Sequence, residues 1–236
     1  YYSETRTATI TVTDEAYTFN ENGLTLSIVA KDKNGNVAQN VSTVSMLSDW
    51  DSSVLGVYTR TVTFAPGYEY EWSVVSYKSK SQTVTAVATD PAANTVWNFV
   101  VDNTAPTGTL KYNLWSDTWN TLLSTITFGL FTNNVAGLTY SVSDIDDDIS
   151  GIASVKYFVT DEDDPLAATQ LDSVAFDDAP VIADEEQKLV VYAKITDKAG
   201  NYCYINTDGV IVDKSELNIT IIPPTLHSGS YYNKDF

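Results

Sequence analysis

Residues Arg6–Thr13 read Arg-Thr-Ala-Thr-Ile-Thr-Val-Thr, and this stretch decides the fold. Ala8, Ile10 and Val12 fall on one face and the threonines on the other. Period-two alternation marks a half-buried strand, whereas a helix would repeat every 3.6 residues. The same pattern recurs outward from it in Leu24–Ala30 (LTLSIVA), Val57–Phe64 (VYTRTVTF) and Thr83–Thr89 (TVTAVAT). Each run is short and bounded by turn formers such as Asn34-Gly35-Asn36 and Pro66-Gly67. The chain holds 30 Thr and 25 Val, β-branched residues that suit a pleated sheet. Short alternating strands with frequent turns predict an all-β chain of antiparallel β-sandwiches.

A length of 236 residues suggests two domains. The segment Val100-Val101-Asp102-Asn103-Thr104-Ala105-Pro106 ends a strand in an Asx turn and a proline, and reads as the boundary. Ala88–Asn94 (ATDPAAN) parallels Ile195–Asn201 (ITDKAGN), which suggests tandem modules. In each copy a last strand follows, ending at Asp102 and at Asp213. The expected organisation is a sandwich over 1–104, a second with acidic loops over 105–214, and a terminal strand or stub of a further module over 215–236. Tyr231–Asp235 echoes the opening Tyr1–Thr5, so the last residues read as the stub of a third module or as a strand that completes the second. A helical turn is expected over Trp119–Ser124, before a strand at Thr125–Phe131. Trp119 would pack under that turn, and Trp115 reads as core as well.

The chain carries 31 acidic and 13 basic residues, a net charge of −18. Nucleic-acid binding is excluded, because phosphate contacts need clustered Lys and Arg. No apolar run reaches the roughly 18–20 residues of a spanning helix, so no membrane insertion is expected, and no signal peptide is visible. Cys203 is the only cysteine and His227 the only histidine, so disulfides, zinc sites and His-based nucleophilic sites lack their parts. No cofactor is required, and the sequence reads as non-catalytic.

Three constellations could carry chemistry. Asp144, Asp146 and Asp148 are spaced to present oxygen ligands to Ca²⁺. The remainder of an EF-hand loop is missing: Ser150 rather than Gly follows Asp148-Ile149, and Val155 stands where a bidentate Glu is needed. Between Asp144 and Glu186 there are 14 acidic residues and one basic residue, Lys156. Asp161, Glu162, Asp163 and Asp164 form a second cluster there, and a solvated acidic loop accounts for both. In Tyr68-Glu69-Tyr70-Glu71-Trp72 the aromatics share one face, which suits either a sugar-stacking platform or a core face. Paired carboxylates raise glycoside hydrolysis, but loops without a cleft offer it no support. Lys31 and Lys194 are the candidates for an isopeptide crosslink that would staple a domain without disulfides, although both suit exposed strand positions.

The segments Asp102–Thr109 (DNTAPTGT), Thr125–Phe131 (TITFGLF), Tyr192–Asn201 (YAKITDKAGN) and Ile205–Asp213 (INTDGVIVD), with the opening RTATITVTDEAYTF, resemble the bacterial Ig-like modules of Gram-positive surface proteins. The chain departs from them at Ala93, where Gly is usual, and at Tyr68–Ser81 and Thr160–Ala183, which read as insertions. The resemblance implies two tandem Ig-like sandwiches acting as a monomeric spacer or adhesin stalk, extracellular and at the cell surface or wall. Its partners would be neighbouring modules of the same chain. A glycan- or host-glycoprotein-binding module, or an accessory region of a secreted glycoside hydrolase, are the alternatives. The resemblance carries no catalytic residue.

Overall fold

In the computed structural model, residues 1–38, 48–87, 97–113, 118–119, 126, 128–135 and 138–222 are described. The chain is almost wholly β, and its ladders fall into two sets. The first half holds β1 (Arg6–Thr13), β2 (Leu24–Lys31), β3 (Asp51–Val54), β4 (Val57–Phe64), β5 (Tyr68–Lys78), β6 (Thr83–Val87) and β7 (Trp97–Val101). One sheet runs β1-β4-β3; the other runs β2-β5-β6, with β7 also on β5, and every pair is antiparallel. The alternation read in the sequence gives β1 and β4 their bounds, and Arg6 pairs with Phe64 through to Thr13 with Val57.

Tyr68–Ser81, expected as an insertion, is instead the central strand β5 with its exit. Its first part is flanked by β2 and β7 and its second by β2 and β6. Such a strand must bury one face, and its aromatics do so. Tyr70 is fully buried and Trp72 is 5% exposed, packed with Phe64, Phe99, Val62 and Val101. The ring centroids of Phe64 and Phe99 lie 4.9 Å apart, edge to face. The Tyr70 hydroxyl donates to Ala65 O at 2.9 Å, so the buried polar tip is satisfied.

The second half holds β8 (Thr107–Tyr112), β9 (Thr118–Trp119), β10 (Leu130–Thr132), β11 (Tyr140–Asp146), β12 (Ile152–Thr160), α1 (Ala168–Leu171), β13 (Gln187–Asp197), β14 (Tyr202–Asn206) and β15 (Val210–Val212). One sheet runs β11-β8-β9 and the other β10-β15-β13-β12, with β14 on β13. One pair departs from the antiparallel expectation: β10 runs parallel to β15. Trp119 lies in β9, and the helical turn expected over Trp119–Ser124 falls, beyond Trp119, outside the described residues. So do Trp115, the Ala88–Asn94 repeat, His227, and Thr125 and Thr127 of the expected strand, whose observed successor starts at Leu130.

Strand β13 is buried on both faces, which explains its unbroken apolar run. Leu189, Val191, Ala193 and Ile195 join Leu110, Tyr112, Ile205, Val210 and Val212 between the two sheets. Val190 and Tyr192 point the other way, into a cluster with Ile126, Leu171 and Tyr204. Leu171, 1% exposed, is delivered by α1 within the excursion between β12 and β13. The stretch Thr160–Ala183, expected as an insertion, folds back and roofs the sheet. Among the described residues no ladder crosses 102–106, where the chain passes from one set of sheets to the other.

Candidate functional site at the aspartate junction

The passage between the halves is anchored at Asp102. Its N–H donates to Tyr2 O at 2.8 Å, and Tyr2 itself bridges in parallel to Val101. Its Oδ1 accepts from Thr104 N at 3.0 Å, the Asx turn expected from Asp-Asn-Thr-Ala-Pro. Its Oδ2 accepts from Ser150 N at 3.0 Å, and its carbonyl accepts from Asn201 Nδ2 at 2.8 Å. The side chain is fully buried. This one residue is therefore bonded to the first half through its amide and to two loops of the second half through Oδ2 and its carbonyl oxygen.

Both loops present a carboxylate to it. At the end of β13, Asp197 Oδ1 accepts from Gly200 N at 2.6 Å and Asn201 N at 2.8 Å, and Oδ2 accepts from Asn201 Nδ2 at 2.8 Å. Gly200 at φ +96° permits this turn, since a Cβ there would strain the backbone. Asp197 is 2% exposed. Between β11 and β12, Asp147 Oδ2 accepts from Gly151 N at 2.5 Å and Ser150 Oγ at 3.3 Å. Its Oδ1 is buried and has no hydrogen-bond partner. One carboxylate oxygen from each of Asp102, Asp147 and Asp197 lies within 4.8 Å of the other two. Oxygens alone make a donor set for a hard cation. Two of the three side chains are buried among loops, so no face is open for a sugar ring to lie between catalytic acids.

The carboxylates singled out by spacing lie elsewhere. Asp144, Asp146 and Asp148 are exposed. Asp144 accepts from Ser143 Oγ, Asp146 sits opposite Thr107 at the end of the β11–β8 ladder, and Asp148 pairs with Lys33 Nζ at 3.4 Å. A bulge between Ser143 and Asp146, with Asp144 at φ 52°, breaks the parity of β11. Counting alternate residues through it picks the outward set and skips Asp147. The signal was present in the asparagine-containing turns at Asp102 and Asp197, which read only as turn formers.

The other candidates also have places. Tyr70 and Trp72 are core, so that face cannot meet a glycan, and Tyr68 is partly buried against the same core. Asp163 is bonded by Lys188 Nζ at 2.8 Å through Oδ1 and 3.1 Å through Oδ2, beside Asp161, Glu185 and Glu186 in an open acidic hollow. Lys31 Nζ faces Glu71 at 3.9 Å, and Lys194 Nζ sits 3.9 Å from the Tyr202 ring centroid. Asp172 accepts from both Tyr202 (2.9 Å) and Tyr204 (2.7 Å) hydroxyls, and these bonds hold its carboxyl below the usual range. The sequence did not single out the aromatic group Phe19, Trp50, Tyr58 and Tyr77. Phe19 stacks on Tyr58 with centroids 3.6 Å apart, and Trp50 Nε1 donates to Glu21 O. Those rings are engaged with one another and close one end of the first half.

Antiparallel sheets packed face to face around apolar cores, with almost no helix, define an Ig-like β-sandwich fold. A profile of the bacterial Ig-like domain matches residues 91–214, more than half of the chain, and the chain belongs to that family. No curated protein and no solved structure gives a significant match.

Proposed function

We propose that the chain is a non-catalytic spacer, two tandem Ig-like sandwiches over 1–104 and 105–214 that act outside a bacterial cell as part of a surface protein. The family membership supports the setting, since the resemblance to wall-associated modules points the same way. The observation that carries the mechanical role is the Asp102 linker. It is tied by backbone to Tyr2 on one side and to Ser150 and Asn201 on the other. A spacer needs a joint that transmits orientation, and a linker bonded on both sides does this where a free Gly/Ser linker would not. The accessory-region reading places the same spacer beside a catalytic domain. The sugar-platform reading loses its platform, because Tyr70 and Trp72 are buried.

Small-angle scattering tests the role. Two roughly 100-residue lobes placed end to end give a radius of gyration of about 24 Å, against about 18 Å for one compact body of this length. The elongated value is expected; the compact value would overturn the spacer reading.

A further inference from the structure

We propose that Leu217–Ile222 of one copy of this chain adds as a strand to the free edge of β1 in a second copy, joining copies head to tail. The segment enters no ladder, yet its sequence is that of a strand. Leu217, Ile219 and Ile221 alternate with Asn218 and Thr220, and these three aliphatic side chains are between 81% and 90% exposed. Such alternation serves a sheet, where one face meets a core and the other meets water. Pro223 and Pro224 follow and set its length, since proline ends a ladder. The acceptor is β1. Among the described residues it pairs only with β4, so its other edge carries unpaired backbone groups. Proteins ordinarily blunt such an edge with Lys, Pro or a bulge. Arg6–Thr13 contains neither Lys nor Pro, and its ladder to β4 runs without a shift. Beside that edge a cavity of about 500 Å³ opens between the two sheets, lined by Ile10, Val12, Val75, Tyr77 and Val84, with Glu15 beyond the end of β1.

Segment and edge match in register. In an antiparallel pair, residues directly opposite each other share a face. Setting Ile219 opposite Ile10 places Leu217 opposite Val12 and Ile221 opposite Ala8, so the three aliphatics enter the cleft. The same setting puts Asn218 and Thr220 opposite Thr11 and Thr9 on the exposed face, and Lys214 opposite Glu15. A slip of one residue turns Asn218 and Thr220 inward instead. Lys214 contacts Asp184 within its own copy, an exposed pair that contributes little and that Glu15 of the second copy replaces. Main-chain bonds along the edge supply affinity, and the cleft supplies specificity, as in strand addition generally. The two surfaces differ, so the contact is heterologous and builds chains of copies unless the rotation closes a ring. The monomer implied by the family resemblance is then the dilute state. The inference stands apart from the spacer reading, although assembly of this kind lengthens a spacer.

Sedimentation equilibrium of the whole chain, from about 1 μM to about 500 μM, should show a mass that rises with concentration. A Kd on the order of 50 μM is expected, since so short a strand buries less than a standard interface. Ile219→Lys changes an exposed position and should weaken association about tenfold or more, because it carries a charge into the cleft. Lys214→Glu and Glu15→Lys should each weaken it about threefold and restore it when combined. A synthetic peptide of residues 214–222 in excess should return the wild-type chain to monomer, and its Ile219→Lys form should not. Amide exchange within Arg6–Thr13 should slow as concentration rises. A chain that stays monomeric up to about 500 μM overturns the inference, as does association indifferent to Ile219→Lys and to the peptide. So does a monomer with protected Asn218 and Thr220 amides, since the segment then lies on its own copy. Small-angle scattering in the dilute limit reads the single copy. An elongated monomer that does not associate sinks this inference alone; a compact monomer that associates sinks the spacer alone.

Discussion

The chain builds one turn twice. Asp32-Lys33-Asn34-Gly35-Asn36 follows β2, and Asp197-Lys198-Ala199-Gly200-Asn201 closes β13. In both, the aspartate N–H donates to the asparagine carbonyl, at 2.9 and 3.0 Å. In both, the aspartate Oδ1 accepts from the asparagine N–H, at 2.9 and 2.8 Å, and the glycine has positive φ, +77° and +96°. The surroundings differ. The Asp32 turn stands at the surface, and the bond from Asn36 N–H holds its carboxyl below the ordinary aspartate range. The Asp197 turn is buried against Asp102 and Asp147, and its asparagine side chain reaches across to the linker carbonyl. Local sequence sets the turn; what faces it decides whether the turn serves as a hairpin end or as part of a joint.

The comparison extends to the halves. Among the described residues the first half has one core between its sheets, whereas the second has a further cluster on the outer face of β13. Leu171→Ala should therefore cost about 3 kcal/mol in urea unfolding, because it leaves a cavity under the roofing excursion. A loss below about 1 kcal/mol would show that the excursion does not hold the sheet. Next, Asp197→Ala removes the acceptor of three bonds in a buried turn and should cost about 2 kcal/mol. Asp32→Ala should cost clearly less, since water replaces its bonds, and equal losses would break the contrast. Gly35→Ala and Gly200→Ala should each cost about 1 kcal/mol, because both force a Cβ into the left-handed region. Unequal losses would mean that the two turns are not one local structure.

The smallest effect is in alkali. Burial pushes the Tyr70 hydroxyl up to about 12, so its neutral form stabilises the first half. That contribution is complete below pH 10 and is lost as pH rises through 12. Tyrosinate absorbance should show this phenol titrating late and together with unfolding of the aromatic core. Titration near pH 10 in the folded chain would place Tyr70 at the surface.

The strands of the first half were legible: β1 alternates from end to end, β4 alternates at its buried end over Val62–Phe64, and β2 alternates up to the bulge between Ser27 and Ile28. Strand β13 lacks alternation because both its faces are covered, and its recognition rested on the turn that ends it. Strand β5 read as an insertion because its length and its outward Glu69 and Glu71 obscured its central place. A helix as short as α1 has no period to detect. Of the junction, sequence supplied the turn at Asp102 and the turn at Asp197, since Asx and glycine chemistry is local. Their meeting is not local: Asn201 and Asp102 stand 99 residues apart. Asp147 was hidden by a bulge that shifts parity by one residue.

Amide hydrogen exchange tests the joint most directly, read at matched turns in one molecule. The Ser150 amide, which donates to Asp102 Oδ2, and the Asn201 amide, which donates to Asp197 Oδ1, should exchange slowly. The Asn34 and Asn36 amides, whose bonds to Asp32 lie at the surface, should exchange orders of magnitude faster. Asp102→Asn should speed Ser150 and leave Asn34 and Asn36 unchanged. Similar rates at both turns, or a Ser150 amide indifferent to Asp102, would mean that the linker is free and the two halves are not joined as described.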